Sequence, residues 1–130
     1  MLYCLNKIYL YRDAGVEMEN NMQIKLPDSE LEIMQAIWAL NAAGERFVSA
    51  QLIVNRYPVI ARLKMSTILT LITRLQTKGF IETAKLGRAN CYTPLVSIED
   101  YRRFVTKDFL SRVFCGDREA LKELLSDTAN

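Results

Sequence analysis

The sequence predicts a mainly α-helical fold that contains one small β-hairpin. Two observations predict it: apolar residues recur at helical spacing along most of the chain after Pro27, and the spacing changes to strand-like alternation once, around residues 80–93. The chain has 130 residues, of which 50% are hydrophobic and 25% are charged. It can therefore bury a core of its own, and its length suits one small domain or a compact module with an appendage.

The first helix is predicted over residues 28–40. Asp28 is a suitable N-cap, because its carboxylate can accept a hydrogen bond from a backbone N–H of the first turn. The apolar residues that recur at helical spacing are Leu31, Met34, Ile37 and Trp38. Residues 42–45 then break the helix, and residues 46–48 are too few for more than an edge strand.

A second helix is predicted over residues 49–57, with Ser49 as its cap and Pro58 as its end. Residues 59–64 connect it to the third helix.

The third helix is predicted over about residues 65–78. Gly79, at the position after the C-cap, ends it. Its core face follows the spacing i, i+3, i+4, i+7 and consists of Ile68, Leu71, Ile72 and Leu75. A hairpin follows, with a strand over residues 80–86, a turn over residues 87–90 and a return strand over residues 91–93. Three helices followed by a β-hairpin is the order of a winged helix-turn-helix, predicted here over residues 24–96.

Helical spacing returns after the hairpin. Ser97 begins a sequence that resembles a capping box, Gly116 ends the long helix, and a short helix follows at about residues 118–126. A helix of this length with a wide apolar stripe needs a partner surface, so residues 97–130 are predicted to form a helical dimerisation region. The predicted interface residues are Tyr101, Val105, Phe109, Val113, Leu121 and Leu124.

Residues 1–23 show no sustained periodicity. We interpret them as an N-terminal extension, either a flexible arm or an over-extended start, because Met18 and Met22 are both plausible translation starts. No apolar run in the chain approaches the roughly 20 residues needed to cross a bilayer, so no membrane insertion is expected.

Positive charge is concentrated in the middle of the chain. Residues 62–92 contain six Lys and Arg residues against Glu82 alone, a net charge of +5, whereas the whole chain has a net charge of +2. A local excess of this kind favours a site for a polyanion.

The outward face of the third helix is rich in hydroxyl groups and flanked by positive charge. Small hydroxyl side chains allow close approach to a DNA groove, and a threonine methyl group can pack on a thymine methyl group. Four threonines are unusual on a merely solvated helix face, which more often has Glu, Lys and Gln. The predicted DNA-binding residues of this helix and its N-terminal flank are Lys64, Ser66, Thr67, Thr70, Thr73 and Arg74.

The hairpin tip has Lys85 and Arg88 on either side of Gly87. A basic tip can reach a neighbouring groove or a phosphate, so both residues are predicted DNA contacts. An ordinary solvated β-turn explains the same two residues equally well from the sequence alone.

The sequence argues against an enzyme. It contains no histidine, which excludes Ser-His and Cys-His catalysis and histidine-containing zinc sites. Its three cysteines are widely spaced and form no Cys-x-x-Cys pair, a pattern typical of reduced thiols in the cytosol rather than of a disulfide scaffold or a metal site. No phosphate-binding loop or nucleophile–base pair is visible, and we expect no cofactor and no metal.

These features together resemble the penicillinase-repressor (BlaI/MecI/CopY) family of winged-helix transcriptional repressors. The resemblance covers about residues 24–125. The matching motifs are Ser29–Met34 with Trp38, Ser66–Ile68 with Thr70 and Arg74–Leu75, Lys78–Gly79, Gly87–Arg88 with Tyr92–Pro94, and Tyr101 through Gly116.

The resemblance implies a cytoplasmic homodimer that represses transcription from a palindromic operator. It places Ser66, Thr67, Thr70 and Arg74 at DNA-contacting positions of the third helix and Arg88 in the wing. It also implies release by an upstream signal, such as a cell-wall or β-lactam sensor, with a membrane sensor-protease as a partner. The alternative function is a winged helix that serves only as a protein-interaction module.

Four departures from the family pattern stand out. Family members often have a lysine at the position of Ser66 and a polar residue at the position of Leu69, so the operator preference is expected to differ. The paired C-terminal cysteines of the copper-responsive branch are absent, as is the further C-terminal helix of the best-known members. The chain also contains no Asn-Phe dipeptide, the bond cleaved in repressors of the penicillinase type.

Overall fold

A computed structural model describes residues 24–128, and the expectations for the N-terminal extension lie outside them. The described chain forms two compact units, Ile24–Ile98 and residues 99–128. The first unit contains α1 (Asp28–Ala42), α2 (Ala50–Arg56), α3 (Pro58–Ala61), α4 (Met65–Thr77), β1 (Ile81–Leu86) and β2 (Ala89–Pro94). The remaining helices are α5 (Ile98–Phe114) and α6 (Arg118–Thr128). This mainly helical fold with one two-stranded antiparallel sheet confirms the predicted fold class.

The start of α1 differs from the prediction by one residue. Pro27 is the N-cap, with φ −61° and ψ 157°, and Asp28 is the first helical residue without a side-chain capping bond. Proline holds φ near the value that a helix entry needs, and its carbonyl accepts the first helical bond from the Leu31 N–H at 2.9 Å. The prediction of Asp28 as the N-cap was therefore wrong.

The prediction of Ser49 as the N-cap of α2 is confirmed. The prediction that Pro58 ends this helix is only partly confirmed. The Ser49 hydroxyl accepts a hydrogen bond from the Leu52 N–H at 3.2 Å. Pro58 follows the end of α2, but it also begins the short helix α3 at a position where the missing N–H costs nothing. The predicted connector at residues 59–64 therefore contains helical structure.

A Schellman motif ends α4 and turns the chain into the hairpin. The Gly79 N–H donates to the Gln76 carbonyl at 3.0 Å, and the Phe80 N–H donates to the Leu75 carbonyl at 2.9 Å. Gly79 has φ 82°, a value that residues with a Cβ rarely adopt. Phe80 and Leu75 are both fully buried, so the apolar contact expected of this motif closes the corner.

The hairpin turn is tighter than predicted. Leu86 pairs with Ala89, so only Gly87 and Arg88 form the turn, not residues 87–90, and the return strand is longer than residues 91–93. Gly87 has φ 65°, whereas Arg88 is not among the positive-φ residues of the described chain. A positive φ at the first turn position alone defines a type II′ turn, which matches the twist of the two strands.

Backbone and side-chain bonds fix the base of the hairpin to the helices. The Tyr92 N–H donates to the Val48 carbonyl at 2.8 Å, although Val48 lies outside any regular strand. The Trp38 indole N–H donates to the Val96 carbonyl, also at 2.8 Å, across 58 residues of sequence. These bonds join α1, the segment before α2 and the chain beyond β2 into one body.

The core of the first unit is formed by apolar residues from every helix and from both strands. Its largest fully buried side chains are Phe80, Ile33, Met34, Ile37, Ile53, Ile68, Leu75, Ile81 and Val48. The predicted core face of α4 is confirmed, since all four of its apolar residues are at most 5% exposed. The opposite face of α4 is therefore left to solvent.

In the second unit, α5 ends where Gly116 was predicted to end it, and α6 extends to Thr128 rather than to about residue 126. Arg112 Nε and Asp108 Oδ1 form an ion pair at 2.8 Å along α5. None of the helices in residues 24–128 has the length and apolar content needed to span a membrane.

Candidate nucleic-acid interface

The outward face of α4 is open to solvent along the whole helix. Every predicted DNA-binding residue of the helix and its flank is exposed: Lys64, Ser66, Thr67, Thr70, Thr73 and Arg74. Lys64 is the N-cap residue and Arg74 lies in the last turn. Ten residues of helix rise place these two cations about 15 Å apart along the axis, so they bracket the hydroxyl-rich surface between them.

Two of the threonines on this face direct their hydroxyl protons back to the helix. Thr70 Oγ1 donates to the Ser66 carbonyl and Thr73 Oγ1 donates to the Leu69 carbonyl, each at 2.9 Å. Their oxygen atoms can still accept a hydrogen bond, but their protons are already used. Donation from either hydroxyl to a DNA phosphate would therefore require a change of side-chain rotamer.

The cations of the central segment fall into two groups. Lys78 is paired with Glu30, whose side chain is only 3% exposed, and Arg62 lies 3.8 Å from Glu32. In contrast, none of the ion pairs within residues 24–128 includes Lys64, Arg74, Lys85 or Arg88. The positive charge of α4 and the hairpin is thus uncompensated where it faces solvent.

The hairpin presents its two predicted DNA contacts at the open end of the sheet. Lys85 lies opposite Asn90 in the strand register, and Arg88 is the second residue of the two-residue turn. Both side chains are exposed. The Thr83 hydroxyl donates to Gln76 Oε1 at 3.0 Å, which links β1 directly to α4 and limits how far the hairpin can move relative to this helix.

Two exposed apolar residues on α4 were not among the predicted DNA-binding residues. Met65 is 38% exposed and Leu69 is 42% exposed, whereas the other four large apolar residues of the helix are buried. The signal was available, because Leu69 falls out of phase with the buried i, i+3, i+4, i+7 series.

The predicted dimer-interface residues differ widely in their exposure within the single chain. Phe109 is 46% exposed, Val113 61% and Leu124 51%, whereas Val105 and Leu121 are intermediate. Tyr101 is only 5% exposed, so little of its surface is left for a second copy. Leu125, which was not among the predicted interface residues, is 59% exposed and adjoins Leu124 on α6.

No group of three or more potential metal ligands comes together within residues 24–128. One titratable group of the hairpin is perturbed. Burial raises the pKa of the Tyr92 phenol above its ordinary value of 10.0, and the charge of the neighbouring Cys91 thiolate raises it further. Tyr92 lies at the base of the hairpin, away from the basic tip, and it has no part in the DNA-facing surface.

Helices α1, α2 and α4, of which α4 has an open basic face, and a β-hairpin tied to α4 define a winged helix-turn-helix protein. A family model described as Penicillinase repressor matches residues 26–129 of the chain. The chain belongs to the penicillinase repressor family, as its resemblance in sequence predicted. This is a family of repressors and not of enzymes, which agrees with the non-enzymatic function expected from the sequence.

Curated relatives match over most of their own length. The chain is 30% identical over 102 residues to the methicillin resistance regulatory protein MecI of Staphylococcus aureus (strain N315), covering 78% of this chain and 79% of that protein. It is 31% identical over 101 residues to the penicillinase repressor of Staphylococcus aureus, covering 78% and 76% of the two chains. It is 28% identical over 92 residues to the penicillinase repressor of Bacillus licheniformis, covering 71% and 68%.

A solved structure described as the solution structure of the DNA binding domain of the repressor BlaI is also similar. It shares 28% sequence identity and covers 59% of this chain and 88% of that chain, with a TM-score of 0.48. A score below 0.5 is too low to support the fold, which rests here on the family match and on the elements described above.

Proposed function

We propose that this chain is a transcriptional repressor that binds a pseudo-palindromic operator as a cytoplasmic homodimer. The observation that carries the proposal is the open face of α4, where exposed Arg74 and Lys64 have no ion-pair partner among the described residues and the core side is fully buried. Such a helix can enter the major groove, where cations bind phosphates and the side chains between them contact base edges. Lys85 and Arg88 would contact the flanking backbone.

Dimerisation is supported by the apolar surface of the second unit. Phe109, Val113, Leu124 and Leu125 are all at least 46% exposed in the single chain, and exposed apolar clusters of this kind mark interfaces. A second copy of the chain is the natural partner, because a two-fold axis places two equal recognition helices about one helical turn of DNA, or a multiple of it, apart. The division into a DNA-binding domain over residues 24–96 and a dimerisation region over residues 97–130 belongs to the same proposal.

The inducing signal is inferred from the relatives. Their names connect them with methicillin resistance and with penicillinase, so we propose release by a cell-wall or β-lactam sensor. A membrane sensor-protease acting as an antirepressor is the proposed partner. Because the chain has no Asn-Phe dipeptide, any cleavage in it must occur at a different bond.

A footprint of the purified protein on the DNA upstream of its own gene, repeated at several salt concentrations, tests the proposal. We expect a protected inverted repeat and a steep loss of affinity with salt, since each neutralised phosphate contributes about 0.9 to the slope of log affinity against log salt. A folded, dimeric protein that protects no DNA at low salt, there or in a random-sequence selection, would favour the protein-interaction module instead.

A further inference from the structure

The exposed side of α4 repeats the spacing of its buried side. The buried series Ile68, Leu71, Ile72 and Leu75 follows i, i+3, i+4, i+7, and so does an exposed series on the opposite side of the helix. We call this second series the outer stripe, and it consists of Ser66, Leu69, Thr70 and Thr73. Leu69 thus lies on the side of α4 that faces away from the core, and 42% of the residue is exposed.

The outer stripe offers few hydrogen-bond donors. The protons of Thr70 and Thr73 are bonded to the carbonyls of Ser66 and Leu69, at 2.9 Å in both cases. In that arrangement the two threonines contribute their methyl groups and an acceptor oxygen, and Ser66 contributes the remaining hydroxyl. A single leucine therefore supplies the largest side chain of the stripe, and that side chain is wholly apolar.

Leu69 is not one of the α4 residues that form the core of the first unit, since the four that do are at most 5% exposed. A large apolar group in a groove-facing stripe is best matched by an apolar group on the DNA. Among the base edges of the major groove, the thymine C5-methyl group is the apolar feature.

We propose that Leu69 determines operator specificity by packing against a thymine C5-methyl group in each half-site. This inference rests on the proposed function, namely that α4 enters the major groove. Met65 precedes Leu69 by one helical turn and is 38% exposed, but it lies beside the outer stripe rather than in it. Leu69 is accordingly the contact, and Met65 provides a matched comparison on the same helix.

The experiment uses the full chain and duplexes enriched by it from a random-sequence library. Each thymine of one enriched half-site is replaced in turn by deoxyuridine, which removes the methyl group and leaves the base-pairing edge unchanged. We expect one position at which the wild-type dissociation constant rises about fourfold, the value for one buried methyl group. At that position, Leu69→Ala should bind the thymine and uracil duplexes equally, and Met65→Ala should keep the fourfold ratio.

The outcomes separate this inference from the proposed function. Two results would overturn the role of Leu69 and leave the repressor function intact. In the first, the enriched duplexes bind tightly but no thymine is sensitive to loss of its methyl group. In the second, Leu69→Ala keeps the fourfold ratio between the dissociation constants of the uracil and thymine duplexes. If Met65→Ala abolishes the ratio and Leu69→Ala does not, the contact is assigned to the wrong residue. A library that yields no enriched sequence removes both proposals. Thermal unfolding of Leu69→Ala should match that of the wild type, because the side chain lies outside the core.

Discussion

Lys78 Nζ and Glu30 Oε1 lie 2.5 Å apart, and their ion pair joins the end of α4 to the first turn of α1. The Glu30 side chain is 3% exposed, and that of Lys78 is 26% exposed. A carboxylate so deeply buried depends on its partner, because an unpaired charge away from water is costly. The pair therefore fixes the C-terminal end of the recognition helix, four residues beyond Arg74.

Lys78→Ala should destabilise the protein more than Glu30→Gln does. The first variant leaves a buried carboxylate unpaired and should lower the free energy of unfolding by about 3 kcal/mol. The second keeps an uncharged acceptor, and Lys78 can still reach water, so a loss of about 1–2 kcal/mol is expected. Urea unfolding followed by circular dichroism measures both values.

Arg56→Ala is the control for this comparison. Arg56 pairs with Glu45 at 2.8 Å, but both side chains are well exposed, so its removal should change the free energy of unfolding by less than about 1 kcal/mol. Equal effects for Lys78→Ala and Arg56→Ala would show that Glu30 stays solvated. Where Lys78→Ala is folded, its DNA affinity should depend on salt as the wild type does, since the Lys78 cation already has a protein partner.

The periodic parts of the fold could be predicted from the sequence. The buried series of α4 and the stop at Gly79 follow directly from local spacing and from the need for a positive φ. The change from helical spacing to strand-like alternation, which marks the hairpin, also depends only on neighbouring residues. Each of these features depends on residues within one or two turns of one another.

Features that depend on distant partners could not be predicted. The Glu30–Lys78 ion pair joins residues that are 48 positions apart in the sequence. The hydrogen bond from the Tyr92 N–H to the Val48 carbonyl uses only backbone atoms, so the side chain of Val48 gives no sign of it. In the sequence Glu30 is simply an acid of the first helical turn, and its burial becomes visible only when α4 packs on α1. The exposure of Leu69, in contrast, follows from its position on the helix, which is out of phase with the buried series.

Arg74→Ala should abolish specific operator binding while the fold and the dimer remain intact. Arg74 is exposed and in no ion pair among the described residues, so its loss removes a DNA contact without breaking an ion pair of the protein. A base contact of arginine contributes about 1–3 kcal/mol per half-site, and loss of a phosphate contact lowers the salt slope by about 1. Fluorescence anisotropy on the footprinted duplex at several salt concentrations measures both quantities.

Arg56→Ala is again the matched control, because it removes the same charge from the same unit away from α4. It should bind the duplex as the wild type does, apart from a small general effect of net charge. An Arg74→Ala variant that binds normally would move the recognition surface away from this face of α4.

Val113→Asp should dissociate the dimer. Val113 is 61% exposed in the single chain, so the substitution leaves the protomer intact but places an unpaired carboxylate in the proposed apolar interface. The expected cost is about 3 kcal/mol or more. Sedimentation velocity should then report a monomer at concentrations where the wild type is dimeric, and operator affinity should fall because the two recognition helices are no longer linked.

Val59→Asp provides a closely matched control for the dimer prediction. Val59 is 59% exposed, but it lies in α3 of the first unit, outside the proposed interface. The Val59→Asp variant should therefore sediment as a dimer. If both variants remain dimeric, the second copy must contact a surface other than the exposed face of α5.

Stability should decline at alkaline pH through Tyr92. Burial raises the pKa of this phenol above 10.0, with a smaller contribution from the Cys91 charge, so the folded state holds the proton more tightly than the unfolded state does. The unfolded chain therefore binds fewer protons above pH 10, and the free energy of unfolding must fall as the pH rises from about 10 through the folded-state pKa. Below pH 10 this group adds no pH dependence. Urea unfolding between pH 8 and 11 should show the decline in the wild type and a smaller one in Tyr92→Phe, and parallel curves for the two proteins would mean that the Tyr92 phenolate reaches water without unfolding.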